Sequence, residues 1–143
     1  MSAITLHQAQ TIIETALKQA RGKDYAPLAV LVLDARGAPK AFAAEDGTSL
    51  RRYEIAHGKA HGALAMGIGS RTLGKRAAER PQFFTAVGQV VPGGLVPVPG
   101  GVLIRDGAGE TIGAVGISGD TSDNDEDAAI AGIRAAGLVA DPG

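Results

Sequence analysis

The sequence predicts an α/β sandwich in which a mainly antiparallel sheet of about five strands is flanked by helices. Three observations predict it. Two pairs of apolar runs are each joined by a Gly-containing turn of hairpin length, at residues 35–38 and 107–109. Stretches of helical periodicity stand at both ends of the chain and between the hairpins. A length of 143 residues suits one domain, 1–143, with a single core, and is short for two. The order helix, hairpin, helices, hairpin, helix puts the first and last helices together on one side of the sheet.

Thr5 is the expected N-cap of a helix over about residues 6–21, because Leu6, Ala9, Ile12, Ile13, Ala16, Leu17 and Ala20 recur at helical spacing before Gly22. Residues 26–34 form an apolar run that fits a strand covered on both faces, and residues 39–44 form its return strand. Thr48 or Ser49 then caps the next helix, residues 51–66. Gly67 and Gly69 break it, Ser70 caps a second short helix through Ala78, and Pro81 sits in the first turn of a third. Residues 90–101 are too rich in Pro and Gly for a central strand and read as an ordered surface loop, a suitable pocket rim. A second hairpin pairs residues 102–106 with 110–118. The last helix, about 123–137, carries acids in its first turn, where the helix dipole favours them.

The helix from Arg51 to Met66 concentrates the chemistry. At about 100° per residue, Glu54, His57 and His61 fall within an arc of about 60°. Ile55, Ala56, Ala60, Ala63, Leu64 and Met66 form the packing face, with Arg52 and Lys59 in or beside it. A cation there must snorkel, pair or meet a ligand. His57 and His61 at i, i+4, with Glu54 one turn earlier, have the spacing of a metal site. His7 is the remaining histidine and a further candidate ligand.

Composition narrows the function. A formal charge of −1, two Tyr, three Phe and no Trp argue against a nucleic-acid surface. No membrane span or leader is readable from the Met1–Gln8 segment, and the absence of Cys excludes thiolate chemistry and fits a reducing compartment, so a cytoplasmic location is expected. The 21 glycines and many alanines imply close backbone packing and a modest core that leans on subunit contacts, hence a homo-oligomer. Gly58 stands where a zinc protease needs Glu, no P-loop follows the Gly-Gly pairs, and no nucleophile elbow surrounds Ser118 for a triad with His57 and Asp120. The acids at 120–127 lack the Gly and Glu of a calcium loop.

Glu45-Asp46-Gly47, Ile55 to Ala60, Pro99-Gly100-Gly101-Val102, Ile112 to Thr121 and Asp125-Glu126 together resemble the GlcG/HbpS family, which includes the C-terminal domain of PduO-type proteins. The resemblance runs from about residue 5 to 138 and implies a profilin-like α/β/α sandwich, homo-oligomers and, in some members, binding or degradation of haem. The chain departs from the family's aromatic-Met pair before Asp-Gly, having Ala44-Glu45, and from its aromatic after the Lys-Ala helix. It adds Arg51, Arg52, His57, His61, Ser70 and Arg71. A pocket rebuilt with Arg and His suits an anionic small molecule, such as a carboxylate, as well as haem.

Two functions follow as expectations, with a structural oligomer lacking chemistry as the third. In a small-ligand or haem-binding domain, His57, His61 or His7 ligates iron and Arg51, Arg52 or Lys59 pairs the propionates. In an accessory enzyme of small-molecule catabolism, Lys59 or His57 serves as acid/base and the arginines hold a carboxylate. Arg52 and Lys59 are expected to border one cavity beneath the Pro92–Gly101 loop, lined by Pro99, Gly100, Gly101, Ser118 and Gly119. The Glu54-His57-His61 stripe is expected to face its own copy across a two-fold axis.

Overall fold

The structure, a computed structural model, describes residues 3–143, so the first two residues of the Met1–Gln8 segment lie outside it. The chain runs α1 (Leu6–Gly22), β1 (Ala29–Asp34), β2 (Pro39–Ala44), α2 (Arg52–Met66), α3 (Ser70–Glu79), α4 (Pro81–Val90), β3 (Gly101–Arg105), β4 (Thr111–Ser118), α5 (Ser122–Ala135) and β5 (Val139–Asp141). The strands form one antiparallel sheet in the order β2-β1-β4-β3-β5. The expected helix-flanked sheet is present.

Alternation along the strands divides the core into two layers. Val30 and Val32 of β1, Val102 and Ile104 of β3, and Val115 and Ile117 of β4 point to one face, where α1 and α5 pack side by side. Leu31, Leu33, Leu103 and Ala114 point to the other, which α2 covers through Ala56, Ala60 and Ala63. These helix residues are small for a reason. A Cβ on Gly116 of β4 would collide with the Ala56 carbonyl, so α2 lies almost on the β4 backbone.

Thr5 caps α1 as expected, its hydroxyl accepting from Gln8 N while the Gln8 side chain accepts from Thr5 N, a reciprocal capping box. Gly67 ends α2 in the left-handed conformation, φ 72°, with its N–H and that of Ile68 returned to Leu64 and Ala63. Two expected caps are absent. The residue before α2 is Arg51, which supplies no side-chain cap, and Ser49 instead accepts from Arg52 Nε. Ser70 is buried in α3 and accepts from Gly101 N at 2.7 Å, tying α3 to the start of β3. The 90–101 loop is a strap across α2: Val96 and Leu95 lie where Cβ atoms of Gly58 and Gly62 would be, and the Pro97 carbonyl lies against Gly74 of α3. The C-terminal strand β5 pairs with β3, and Arg105 clamps Asp141 through Nε and Nη2.

Candidate functional site

Two cations from the packing face of α2 meet the C-terminal end of β4. Lys59 is 2% exposed, and its Nζ donates to Ile117 O at 2.9 Å and to Asp125 Oδ2 at 3.0 Å. Asp125, 1% exposed in the first turn of α5, accepts from Asp120 N through its other oxygen. The ion pair therefore joins α2 on one face of the sheet to α5 on the other and fixes the β4–α5 turn between them. Burial pushes the Lys59 amine below its ordinary value and the Asp125 carboxyl above its own, each opposed by the charge of the partner. Gly100, at φ +121°, passes so close that a Cβ there would sit 2.9 Å from Nζ, and this seals the amine. A sealed, paired amine is a positioning group and a poor free acid or base.

Arg52, one residue into α2, is half-buried. Its Nε donates to Ser49 Oγ at 3.0 Å and its Nη1 to the buried Ser118 Oγ at 3.1 Å. No carboxylate pairs with it among the described residues. Arg52 and Lys59 thus reach the adjacent residues Ser118 and Ile117 at the end of β4, but with different outcomes. The lysine has an internal counter-ion, and the arginine has only neutral partners. Pro99, Gly100, Gly101 and Gly119 belong to the same end of the sheet: Ile117 N donates to Gly100 O at 3.0 Å, and Gly119 packs on Pro27 and Leu28.

The histidines lie on the flank of α2 in a ladder. Tyr53 and His57 have centroids 6.1 Å apart, the His57 and His61 rings stack at 5.0 Å and 13°, and Phe42 of β2 meets Tyr53 edge-on at 5.0 Å. Both imidazoles are half-covered, because Gly93 of the strap lies against His57 and Gly37 of the β1–β2 turn against His61. His61 Nδ1 is buried with no hydrogen-bond partner among the described residues. Burial, and next the neighbouring His61, hold His57 below its ordinary value, so its imidazole is neutral at pH 7.

The stripe departs from the sequence expectation in two respects. Glu54 is exposed and pairs with the exposed Arg51 at 3.3 Å. Among the described residues no group of three His, Asp or Glu is placed to hold a metal, so Glu54, His57 and His61 do not form the expected cluster. Strap and turn leave each imidazole half-exposed on the flank of α2. His7 is exposed at the start of α1, on the opposite side of the sheet. Ser118 serves Arg52, and no bond joins it to His57, so the triad has no geometry here. What the sequence did not reveal is Asp125, read there as one acid among five; the signal was the buried lysine 66 positions earlier, which required a partner.

Residues 4–134 match the family model of the haem degrading protein HbpS-like family. The chain belongs to this family. Among solved structures, PduOC in complex with haem superposes at a TM-score of 0.84 with 25% identity, covering 96% of this HbpS-like chain and 97% of that one. HbpS itself superposes at 0.80 with 26% identity over 94% and 90% of the two chains. The Klebsiella pneumoniae protein ORFY, at 0.85 and 20% identity over 96% and 92%, shares the fold. No curated protein matches the sequence. No helix among the described residues is long and apolar enough to cross a membrane.

Proposed function

We propose that this HbpS-like domain binds a small carboxylate-bearing ligand, with Arg52 as its anchor and haem as the specific candidate. The observation that carries the reading is the Arg52 guanidinium, pinned by two serine hydroxyls and left without an acid. Such a group is a preorganised carboxylate receptor, since its planar fork is already oriented and no internal pair has to break. The family match and the haem complex of PduOC support haem in particular. The chemistry of the donors supports it: His57 would supply a neutral imidazole with no hydrogen-bonded rival to iron, and Arg52 the partner for a propionate. When bound, haem would bring a redox-active iron. The protein's part is to hold the acid at Arg52 and keep the imidazole unprotonated.

The test titrates the full chain with haemin, following the Soret band, and with simple aliphatic and aromatic carboxylates by calorimetry. A charge-assisted hydrogen bond contributes about 1.5–3 kcal/mol, so Arg52→Gln weakens binding about ten- to a hundredfold. Ser118→Ala, which frees the guanidinium without removing it, weakens it less. His57→Ala changes the haem spectrum and leaves carboxylate binding intact. A chain that binds neither haem nor carboxylates refutes the reading, and binding indifferent to Arg52→Gln refutes the anchor.

A further inference from the structure

His57 and His61 stand one turn apart on α2, their rings 5.0 Å apart between centroids and inclined by 13°. Among the described residues neither ring takes part in a hydrogen bond or an ion pair. Nδ1 of His61 is buried and still has no partner. Buried side-chain nitrogens are as a rule hydrogen-bonded, so an orphan on one of two adjacent imidazoles needs an explanation.

The backbone beside both rings is glycine in the left-handed region, Gly37 at φ +83° and Gly93 at φ +81°. A Cβ on Gly37 would sit 3.2 Å from Nε2 of His61, and one on Gly93 would sit 2.8 Å from Nδ1 of His57 and 3.9 Å from its Nε2. A larger residue at either place would press on a ring edge that carries a nitrogen. Turn and strap therefore hold the pair from two sides without capping it.

We infer that His57 and His61 form an open two-imidazole site for a divalent late transition metal ion, Cu(II) ahead of Ni(II) and Zn(II). Histidines at i and i+4 on one helix face are spaced to share an ion. With bonds of about 2.0–2.1 Å, two nitrogens on one ion lie within about 4 Å of each other. Rings already stacked at 5.0 Å reach that separation by turning about their side-chain torsions, with the helix unmoved and no hydrogen bond to break. His61 ligates through Nε2, because its Nδ1 is the buried atom, and His57 does so too, because Gly93 lies against its Nδ1. Imidazole donors without thiolate or paired carboxylates suit these ions and not Ca(II) or Mg(II), and Cu(II) leads the order for nitrogen ligands. Glu54, one turn earlier, is bonded to Arg51 and stays outside the site. Two protein ligands leave the other positions of the ion to water, so it exchanges readily and is held in the micromolar range. The inference is independent of the carboxylate anchor, since Arg52 is bonded to Ser49 and Ser118 and to neither imidazole. Haem and a free ion would compete for His57, so the ion is added to haem-free chain.

The test titrates Cu(II), and separately Ni(II) and Zn(II), into the untagged chain. Calorimetry gives one Cu(II) per chain with micromolar affinity. Paramagnetic resonance of the Cu(II) form shows hyperfine coupling from two imidazole nitrogens, a count that needs no variant. His57→Gln and His61→Gln each weaken Cu(II) at least about tenfold and leave one imidazole coupling, with the circular dichroism spectrum unchanged. His7→Gln, at the exposed start of α1, alters neither the affinity nor the coupling. A native chain that takes up no Cu(II) in the micromolar range overturns the inference. A spectrum with one imidazole nitrogen or none, or an affinity that both α2 variants leave intact, overturns it equally, by placing the ion elsewhere.

Discussion

Asp125→Asn isolates the energetics of the buried ion pair. The substitution keeps the side-chain shape and an oxygen able to accept from Asp120 N, and removes the charge that compensates Lys59. Both side chains are almost fully withdrawn from water, at 3% and 2% exposure, so solvent does little to screen the orphaned ammonium, which keeps only Ile117 O as an acceptor. Breaking a buried pair from one side costs about 3–5 kcal/mol. In a chain of this length that lowers Tm by about 10–15 °C. The double variant Lys59→Met with Asp125→Asn removes the stranded charge and recovers a good part of the loss, since apolar replacements of buried pairs are often neutral. Urea denaturation followed by circular dichroism measures the two single variants, Asp125→Asn and Lys59→Met, and the double. A single variant within about 1 kcal/mol of the native chain, or a double variant equal to the sum of the singles, would refute the reasoning.

Gly116→Ala drives a Cβ into the Ala56 carbonyl and the Ala60 side chain, and is expected to cost more than about 3 kcal/mol and yield little soluble protein, as read from expression and thermal melting. Ending the chain at Leu138 removes β5, the Arg105–Asp141 clamp and the Arg71 N–H bond to Pro142, uncovers the edge of β3, and raises aggregation in light scattering. Because His57 is held below its ordinary 6.5, the unfolded chain takes its proton more readily than the folded one. Stability therefore falls as pH drops below that value, and His57→Gln flattens this part of the stability-pH curve. Asp120 is held below its ordinary 3.8, first by the Ala26 N–H and next by the Thr121 N–H. Its contribution is present above 3.8 and lost as pH falls through the lower folded value, and Asp120→Asn removes that acid-side loss in denaturant melts.

Local signals in the sequence located nearly every element. The 3.6-residue rhythm of α1 and its Thr5 cap, the Pro39–Ala44 strand and Pro81 at the start of α4 follow from residues within one turn or one hairpin of each other. The strand Val139–Asp141 had no such signal, because three residues carry no periodicity and their only partner is β3. The site was legible in half. The position of Arg52 and Lys59 on the packing face required partners, and the structure supplies Ser118 and Asp125. The identity of those partners depends on how the sheet end, α2 and α5 meet, a long-range fact with no trace in spacing. Ser49 and Ser70 show the same limit: their types suggested caps, and tertiary neighbours claimed the hydroxyls.

Since the strap occupies the space that side chains at 58, 62 and 74 would fill, the strap and the helices it crosses cannot drift independently over generations. An alanine at 58 is tolerable only beside something smaller than Val96, and one at 62 only if the end of the Leu95 side chain moves aside, whereas at 74 the obstacle is the Pro97 carbonyl, which no exchange of side chain can trim. Descendants of this chain should therefore change 58 with 96 as a joint event and leave 74 untouched. The strap's path would be inherited even where its own residues are replaced.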